Sequence, residues 1–389
     1  MKKSLLQGID RFDFSTLEGE RVALLTNYTA IDRDGIPLVK KAVDAGINVT
    51  CVFSPEHGFF PVAQDMESVE KHNKIQGLPV YSLYGSSEAS LRPDPALFDL
   101  FDIVIYDIQD IGSRYYTYLA TLAFFMDELQ KKQRRLIILD RVNPIGGEVE
   151  GAMLDTENYR SFVGYIPLLH RHGMTSAEIA CYYYRLKDFN FPIEIYKVLG
   201  LKRSLFYDDY DYPWVPTSPN MPTVDAAVLY PGGCLVEGTT LSEGRGTTMP
   251  FNLVGAPGID PVRTKCELDE LGLPGISFIP MEFRPMFQKH SAERCGGVYV
   301  ALTDRRSVKP LRAFISILQY FRRVMGDDGF FRDKPYEFID SIPAVDLLLG
   351  DRDLIEMFRK FADADEIDSY LAAHEEAAKK QFSDFRIYD

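Results

Sequence analysis

The chain has 389 residues, 46% of them hydrophobic and 26% charged, a balance that excludes a disordered or fibrous protein, and the length suggests two domains with real cores. Its net charge of −14 disfavours a nucleic-acid or anionic-membrane binder, because those present dense Lys and Arg surfaces. An anionic substrate would have to be met by local arginines.

The start, MKKSLLQGIDRFDF, carries lysines but no apolar segment or small-residue cleavage site before Asp10. No run reaches the roughly 18 apolar residues of a membrane-spanning helix. The expectation is a cytoplasmic chain as the sequence stands, or a periplasmic or secreted one if it is a processed form. From there to about residue 150, strand and helix signals alternate. RVALLTN (21–27), INVTCVFS (47–54), PVYSL (79–83), FDIVIYDIQ (101–109) and RLIILDR (135–141) are short, continuously apolar and rich in β-branched residues, as strands buried on both faces should be. Helical patterns lie between them at 37–45 and 115–133. That order predicts a parallel sheet wrapped by helices.

Polar residues end or follow four of the five apolar runs: Asn27 at the first, Glu56 and His57 at the second, Asp107, Gln109 and Asp110 at the fourth, Arg141 and Asn143 at the fifth. In doubly wound sheets ligands collect at these carboxyl ends, so the residues are expected to converge on one crevice. The first turn, TNYTAIDRDG, lacks GxGxxG, and GxxxxGK[ST] is absent. The sheet is therefore Rossmann-like without a nucleotide fingerprint, and no cofactor is expected.

The stretch SAEIACYYYRL reads as a helix capped by Thr175 and Glu178, with His172 just ahead of it. Beyond residue 213 the character changes. PWVPTSPNMPT (213–223), which contains Asn220, and LYPGGCLVEGTTLSEGRGTTMPF (229–251) are rich in Pro, Gly and Thr and read as long shaped loops that hold binding residues. Glu243 and Arg245 sit among glycines that let a backbone approach a ligand. CGGVYVALTD (295–304) reads as a strand, PLRAFISILQYFRRV (310–324) and DLIEMFRKFADA (353–364) as helices, and 351–382 as a helical surface. The expected division is a Rossmann-like domain over 1–198 and a smaller α+β domain over 199–389, the boundary falling between about 190 and 215. Five scattered cysteines and six histidines form no CxxC, HExxH or comparable cluster, so neither a disulfide framework nor a metal site is indicated.

Seven stretches in order, SPEHGF (54–59), LPVYSLYG (78–85), YDIQDIGSRYYTY (106–118), LDRVNPIGG (139–147), HGMTSAEIA (172–180), SPNMPT (218–223) and EGTTLSEGRGTTMPF (237–251), resemble the family typified by the exo-β-N-acetylmuramidase NamZ, long catalogued as a domain of unknown function. The resemblance covers nearly the whole chain. It implies a Rossmann-like domain followed by a smaller one, and hydrolysis of terminal N-acetylmuramic acid from the non-reducing end of peptidoglycan fragments, with an oligosaccharide as substrate. It also implies that Glu56, in the PEHG motif, is the catalytic acid. Glycoside hydrolysis usually needs a second carboxylate, for which Asp107, Asp110 and Glu243 are candidates, Asp110 or Asp107 foremost; the sugar's 2-acetamido group is an alternative. Arg114, Arg141 and Arg245 are candidates to pair with the lactyl carboxylate, and Tyr115 or Tyr116 to stack on the sugar. Asn27, His57, Gln109, Asn143, His172, Asn220 and Glu243 complete the expected binding set. Three departures stand out: Phe60–Pro61 where the family has Arg–Gly, TNYTA where it has TNPTG, and Val142 where proline is usual. Rival readings are a glycosidase or carbohydrate esterase of different sugar specificity, and a muropeptide-binding protein without turnover.

Overall fold

The computed structural model describes residues 2–60 and 73–389. The continuously apolar runs form the strands of one sheet: β1 (Val22–Thr26), β2 (Val49–Ser54), β3 (Asn73–Ile75), β4 (Leu78–Ser82), β5 (Ile103–Asp107), β6 (Arg135–Leu139) and β7 (Ile193–Tyr196), in spatial order β3-β4-β2-β1-β5-β6-β7. Only β3 runs antiparallel to its neighbour. The six parallel strands, counted by themselves, follow the doubly wound order 3-2-1-4-5-6, so the chain reverses direction between β1 and β5.

Both faces of this sheet are buried, which is why its strands read as apolar without alternation. Ala23, Leu25, Val104, Tyr106, Leu136 and Ile138 point into one core. Val22, Leu24, Ile103, Ile105, Ile137 and Leu139 point into the other. Helix Leu38–Asp44 packs the second core with Leu38, Val39 and Ala42. Helices Tyr118–Lys132 and Ser176–Leu186 pack the first, and Thr175 and Glu178 form the expected capping box, with the Thr175 hydroxyl accepting from Glu178 N–H at 3.3 Å. The first core does not stop at the sheet. It continues into the C-terminal half through Val228, Leu229, Phe251 and Phe314.

That half holds an antiparallel sheet of β8 (Leu253–Ala256), β9 (Ile276–Phe283) and β10 (Cys295–Leu302), in order β8-β10-β9. Helix Pro310–Met325 is strongly amphipathic and begins with its proline in the first turn, where the missing N–H costs nothing.

Several elements differ from expectation. Residues 229–238 are not loop: Val224–Gly233 is an α-helix, and Cys234–Gly238 a 3-10 turn. Every residue from Ala226 to Gly238 is buried, so this helix has no polar face and no helical period to read, and Pro231–Gly232–Gly233 mimics a turn. The surface helix at 351–382 is two helices, Arg352–Arg359 and Ala364–Phe382, separated at Phe361, whose φ of 56° is left-handed. Strand β7 escapes the sequence because Ile193–Tyr196 is a half-buried edge carrying a charge. Of the family departures, Phe60 is a largely exposed side chain, and Pro61 lies outside the described residues. Among the described residues no helix is long and apolar enough to cross a membrane.

Gly232 and Gly233 make the packing of the hidden helix testable. A Cβ on Gly232 would lie 2.0 Å from the Pro310 carbonyl oxygen, whereas on Gly233 it would meet nothing closer than 3.6 Å. Helix propensity alone favours alanine at either site by about 1 kcal/mol. Overpacking should reverse the sign at the first, so Gly232→Ala should destabilise by about 1–3 kcal/mol while Gly233→Ala is neutral or stabilising. Denaturant unfolding of both variants measures this, and equal effects at the two positions would contradict the packing described.

Candidate active site

Strand β2 delivers Glu56. Its last residue, Ser54, accepts Leu83 N–H at 2.9 Å, and Pro55 opens a turn closed by Gly58 N–H donating to the Pro55 carbonyl at 3.1 Å. His57 and Gly58 both have left-handed backbone, φ 68° and 83°. At His57 this costs on the order of 1 kcal/mol, and it lets the chain reverse so tightly that Phe59 O receives Tyr28 N–H at 3.0 Å, binding the turn to the segment after β1.

The Glu56 side chain is buried. Its Oε2 accepts from the Thr117 hydroxyl at 2.6 Å, which fixes it at the entry of helix Tyr118–Lys132. Oε1 is buried with no hydrogen-bond partner among the described residues. Leaving such an atom unpaired costs about 1–3 kcal/mol, a cost that a ligand's polar group removes. Around it lies a narrow cavity of about 30 Å³, lined by His57, Tyr116 and Thr117 from one half of the chain and by Ser218, Glu237, Arg245, Tyr336 and Glu337 from the other. It has room for little more than a water. A wider pocket of about 430 Å³, lined by Glu237, Glu243, Gln288, Lys289, His290 and Arg332 among others, shares Glu237 with it and falls in the size range of small-ligand sites.

The expected residues divide into two groups. Glu56, His57, Tyr116 and Arg245 share the inner cavity. Tyr116 donates to the Thr217 hydroxyl at 2.7 Å; burial, and then the carboxylates of Asp110 and Glu56, raise its pKa above the ordinary phenol value, so it remains a neutral donor. Glu243 faces the outer pocket, where its carboxylate meets Lys289 Nζ at 2.7 Å and Arg245 Nε at 3.4 Å. Burial pushes its pKa up, but the two cations outweigh that and hold it below the usual carboxylate value. Asn220 is buried beside the cavity-lining Ser218 and Met221.

The others lie beneath, in a buried polar layer at the strand ends. Asp107 receives both Nε and Nη2 of Arg141, and Arg141 also donates to the Ile31 carbonyl at 2.9 Å. Burial pushes the Asp107 carboxyl up and Arg141 pulls it back; with two-point contact the pair stays ionised, because neutralising one partner would strand the other charge. Neither has a charge to spare for a sugar. Arg114 spends its Nη1 and Nη2 donors on the Leu168, Leu348 and Leu349 carbonyls, and its buried Nε is unpaired among the described residues. Asn143 closes a turn, accepting Ile145 N–H at 3.1 Å and donating to Met174 O at 3.0 Å. His172 is fully buried, with Nδ1 accepting Met174 N–H at 3.2 Å, which places its proton on Nε2, 3.2 Å from Asp110 Oδ2. Asp110 Oδ1, Asn27 Nδ2 and Gln109 Oε1 are buried and unpaired among the described residues. The sequence reading therefore missed Thr117, Glu237, Tyr336 and Glu337 in the cavity itself. Glu237 opens the EGTTLSEGRG motif, the one signal that pointed to it.

Carboxylates gathered at the strand ends of a Rossmann-like sheet, with a second, smaller sheet beyond it, fit a carboxylate-based hydrolase. Comparison with known sequences places it: the profile of the exo-β-N-acetylmuramidase NamZ N-terminal domain matches residues 22–225 and that of its C-terminal domain residues 228–388. The chain belongs to the NamZ family. It is 37% identical over 322 residues to the peptidoglycan β-N-acetylmuramidase NamZ of Bacillus subtilis (strain 168), a match covering 81% of this chain and 76% of that protein. Two crystal structures of DUF1343 family proteins from Bacteroides fragilis NCTC 9343 superpose with TM-scores of 0.88 and 0.78, at 27% and 28% identity, each over at least 99% of both chains. Among the described residues no group of three or more His, Cys, Asp or Glu is arranged to hold a metal ion.

The strand ends also contain one group with a legible pH signature. Asp140, just past β6, is fully buried and accepts from Ala177 N–H at 3.0 Å and from the Tyr388 hydroxyl; burial pushes its carboxyl up to about 6. The folded chain therefore holds this proton more tightly than the unfolded one, so stability present below about pH 4 is lost as the pH rises through about 6. Asp140→Asn removes the titration, and its unfolding free energy relative to wild type should improve by about 2–3 kcal/mol between pH 4 and pH 7.5. Denaturant titrations at the two pH values measure the difference; a constant offset would show that Asp140 titrates normally.

Proposed function

We propose that this chain is a glycoside hydrolase that removes terminal, non-reducing N-acetylmuramic acid from peptidoglycan fragments. The observation that carries the reading is the Glu56 carboxylate, at the PEHG motif of a NamZ-family chain, with one oxygen fixed by Thr117 and the other unpaired in a cavity built from both halves. Breaking a glycosidic bond requires a proton on the leaving oxygen, and the unpaired Oε1 of Glu56, at the inner cavity, is the atom placed to deliver it. Thr117 holds the carboxyl in one orientation. The sugar occupies the outer pocket, and its scissile oxygen reaches toward Glu56 as the narrow inner cavity widens around it. Tyr116 supplies a polar contact from β5's side and Arg245 from the other, while Asp110 and the Asp107–Arg141 pair serve as their support. On this reading the catalytic frame divides into the sheet domain ending near residue 198 and the half beyond it.

Incubation with a MurNAc–GlcNAc disaccharide should release both monosaccharides, detected by mass, and a GlcNAc-terminated fragment should stay intact. Cleavage of the second and not the first would replace this reading with another glycosidase. Glu56→Gln keeps size and hydrogen bonding but delivers no proton, so kcat on the disaccharide should fall by roughly two to four orders of magnitude. The same variant should retain far more activity on a nitrophenyl glycoside, whose leaving group needs little protonation, and equal losses on both substrates would show that Glu56 is not the acid.

A further inference from the structure

Glu237 is the one described residue that lines both the narrow cavity around Glu56 and the wide outer pocket. A sugar seated in the outer pocket with its scissile bond directed at Glu56 must pass it. Its surroundings are the reverse of those of Glu56. Oε1 accepts Nη2 of Arg245 at 2.7 Å and Oε2 accepts the Tyr336 hydroxyl at 2.8 Å, so the carboxylate is held ionised by a buried guanidinium while the acid across the cavity has no cation in ion-pair contact. Pairs of carboxylates whose environments differ in this way divide acid from anion.

The position is also rigid. Glu237 lies in the 3-10 turn Cys234–Gly238, and a Cβ on Gly238 would sit 2.7 Å from the Val345 backbone, so the turn is pressed against helix Ala344–Leu349 with no room to shift. Arg245, which charges it, is itself held over the Phe251 ring at 5.1 Å. Glu337 lines the inner cavity too and accepts from the Tyr84 hydroxyl at 3.2 Å, but it does not reach the outer pocket.

Resting on the glycosidase reading above, we propose that Glu237 is the second catalytic carboxylate, an ionised group facing the anomeric carbon. Glu56 gives its proton to the glycosidic oxygen; the carbon–oxygen bond breaks, its electron pair going to the leaving alcohol. The positive charge left on the anomeric carbon and ring oxygen is balanced by Glu237. Water adds to that carbon and its proton restores the Glu56 carboxyl, so the sum is glycoside plus water to sugar plus alcohol.

The test compares kcat and KM of wild type, Glu237→Gln, Glu237→Asp and Glu237→Ala on the disaccharide and on a nitrophenyl N-acetylmuramide. Charge balance at the carbon does not depend on the leaving group, so Glu237→Gln should lose at least a hundredfold in kcat on both substrates with Tm and KM little changed, unlike Glu56→Gln. Glu237→Asp keeps the charge and the Arg245 contact but retracts it, and should fold as wild type with kcat reduced at least tenfold. Sodium formate should raise nitrophenyl turnover by Glu237→Ala at least tenfold and leave wild type unaffected, a readout that a purely structural role would not move. Activity of Glu237→Gln and Glu237→Asp within a few-fold of wild type, or loss confined to the disaccharide, would overturn the assignment. So would a loss that follows Tm with no formate effect. Wild type inactive on both substrates would overturn the glycosidase reading and this one with it; an active wild type beside unimpaired variants would remove only the role of Glu237.

Discussion

The ion pair of Asp107 with Arg141 is the constraint on which the site depends. Asp107 ends β5 and Arg141 follows β6, and the same guanidinium reaches the Ile31 carbonyl beyond β1. Thr26, at the end of β1, donates its hydroxyl to the Asp107 carbonyl at 2.8 Å. Three strand ends are thereby joined at the point where the sheet reverses its winding. A pair of this kind adds little net stability, since desolvating both charges offsets most of their attraction. Its effect is specificity of arrangement: removing either partner would strand a buried charge, so the strand ends hold one geometry. Gln109, donating to the Asp110 and Val142 carbonyls at 2.7 and 2.9 Å, passes that geometry to the loop carrying Asp110.

Most of the sheet was legible because its strands are buried on both faces and so announce themselves as unbroken apolar runs. All five strands expected from such runs are present, and the helices at 37–45 and 115–133 appear as Leu38–Asp44 and Tyr118–Lys132. What could not be read was whatever lacks contrast. Helix Val224–Gly233 has no polar face, and β7 is half-buried and short. Of the candidate site, the place of Glu56 at a strand end was legible and its neighbours in the cavity were less so. Asp107, Arg141 and Asn143 occupy the right ends of the right strands, yet strand-end position does not reveal whether a charge is already consumed by a neighbour. Glu237 and Tyr336 stand 99 residues apart in sequence and are joined by a hydrogen bond in the folded chain; no local pattern encodes that meeting.

Part of the backbone strain lies where the two halves face each other. His57, Phe251, Glu337 and Phe338 have φ of 68°, 64°, 47° and 67°, and the first three line the inner cavity. Each is a side-chain-bearing residue in a conformation that ordinarily favours glycine, at a cost of order 1 kcal/mol or more. Such conformations persist only where surrounding packing fixes them. Here the shared core, running from the sheet helices through Tyr115 and Val163 to Tyr230 and Phe251, supplies that packing, and Tyr230 and Phe251 meet edge to face at 4.7 Å.

The division of the chain into halves then acquires a chemical meaning. The parallel sheet contributes a carboxylate held by a hydroxyl, Thr117, and out of ion-pair contact with any described cation. The C-terminal half contributes carboxylates held by cations: Glu237 by Arg245, Glu243 by Lys289 and Arg245. A cation beside a carboxylate favours its ionised form. One half thus offers a carboxylate without a cationic partner and the other carboxylates paired with cations, and the two are pressed together by a core that neither half completes without the other. Placing the two kinds of carboxylate on different halves lets each environment be set by its own scaffold, which a pair of neighbouring carboxylates on one loop could not achieve without each perturbing the other.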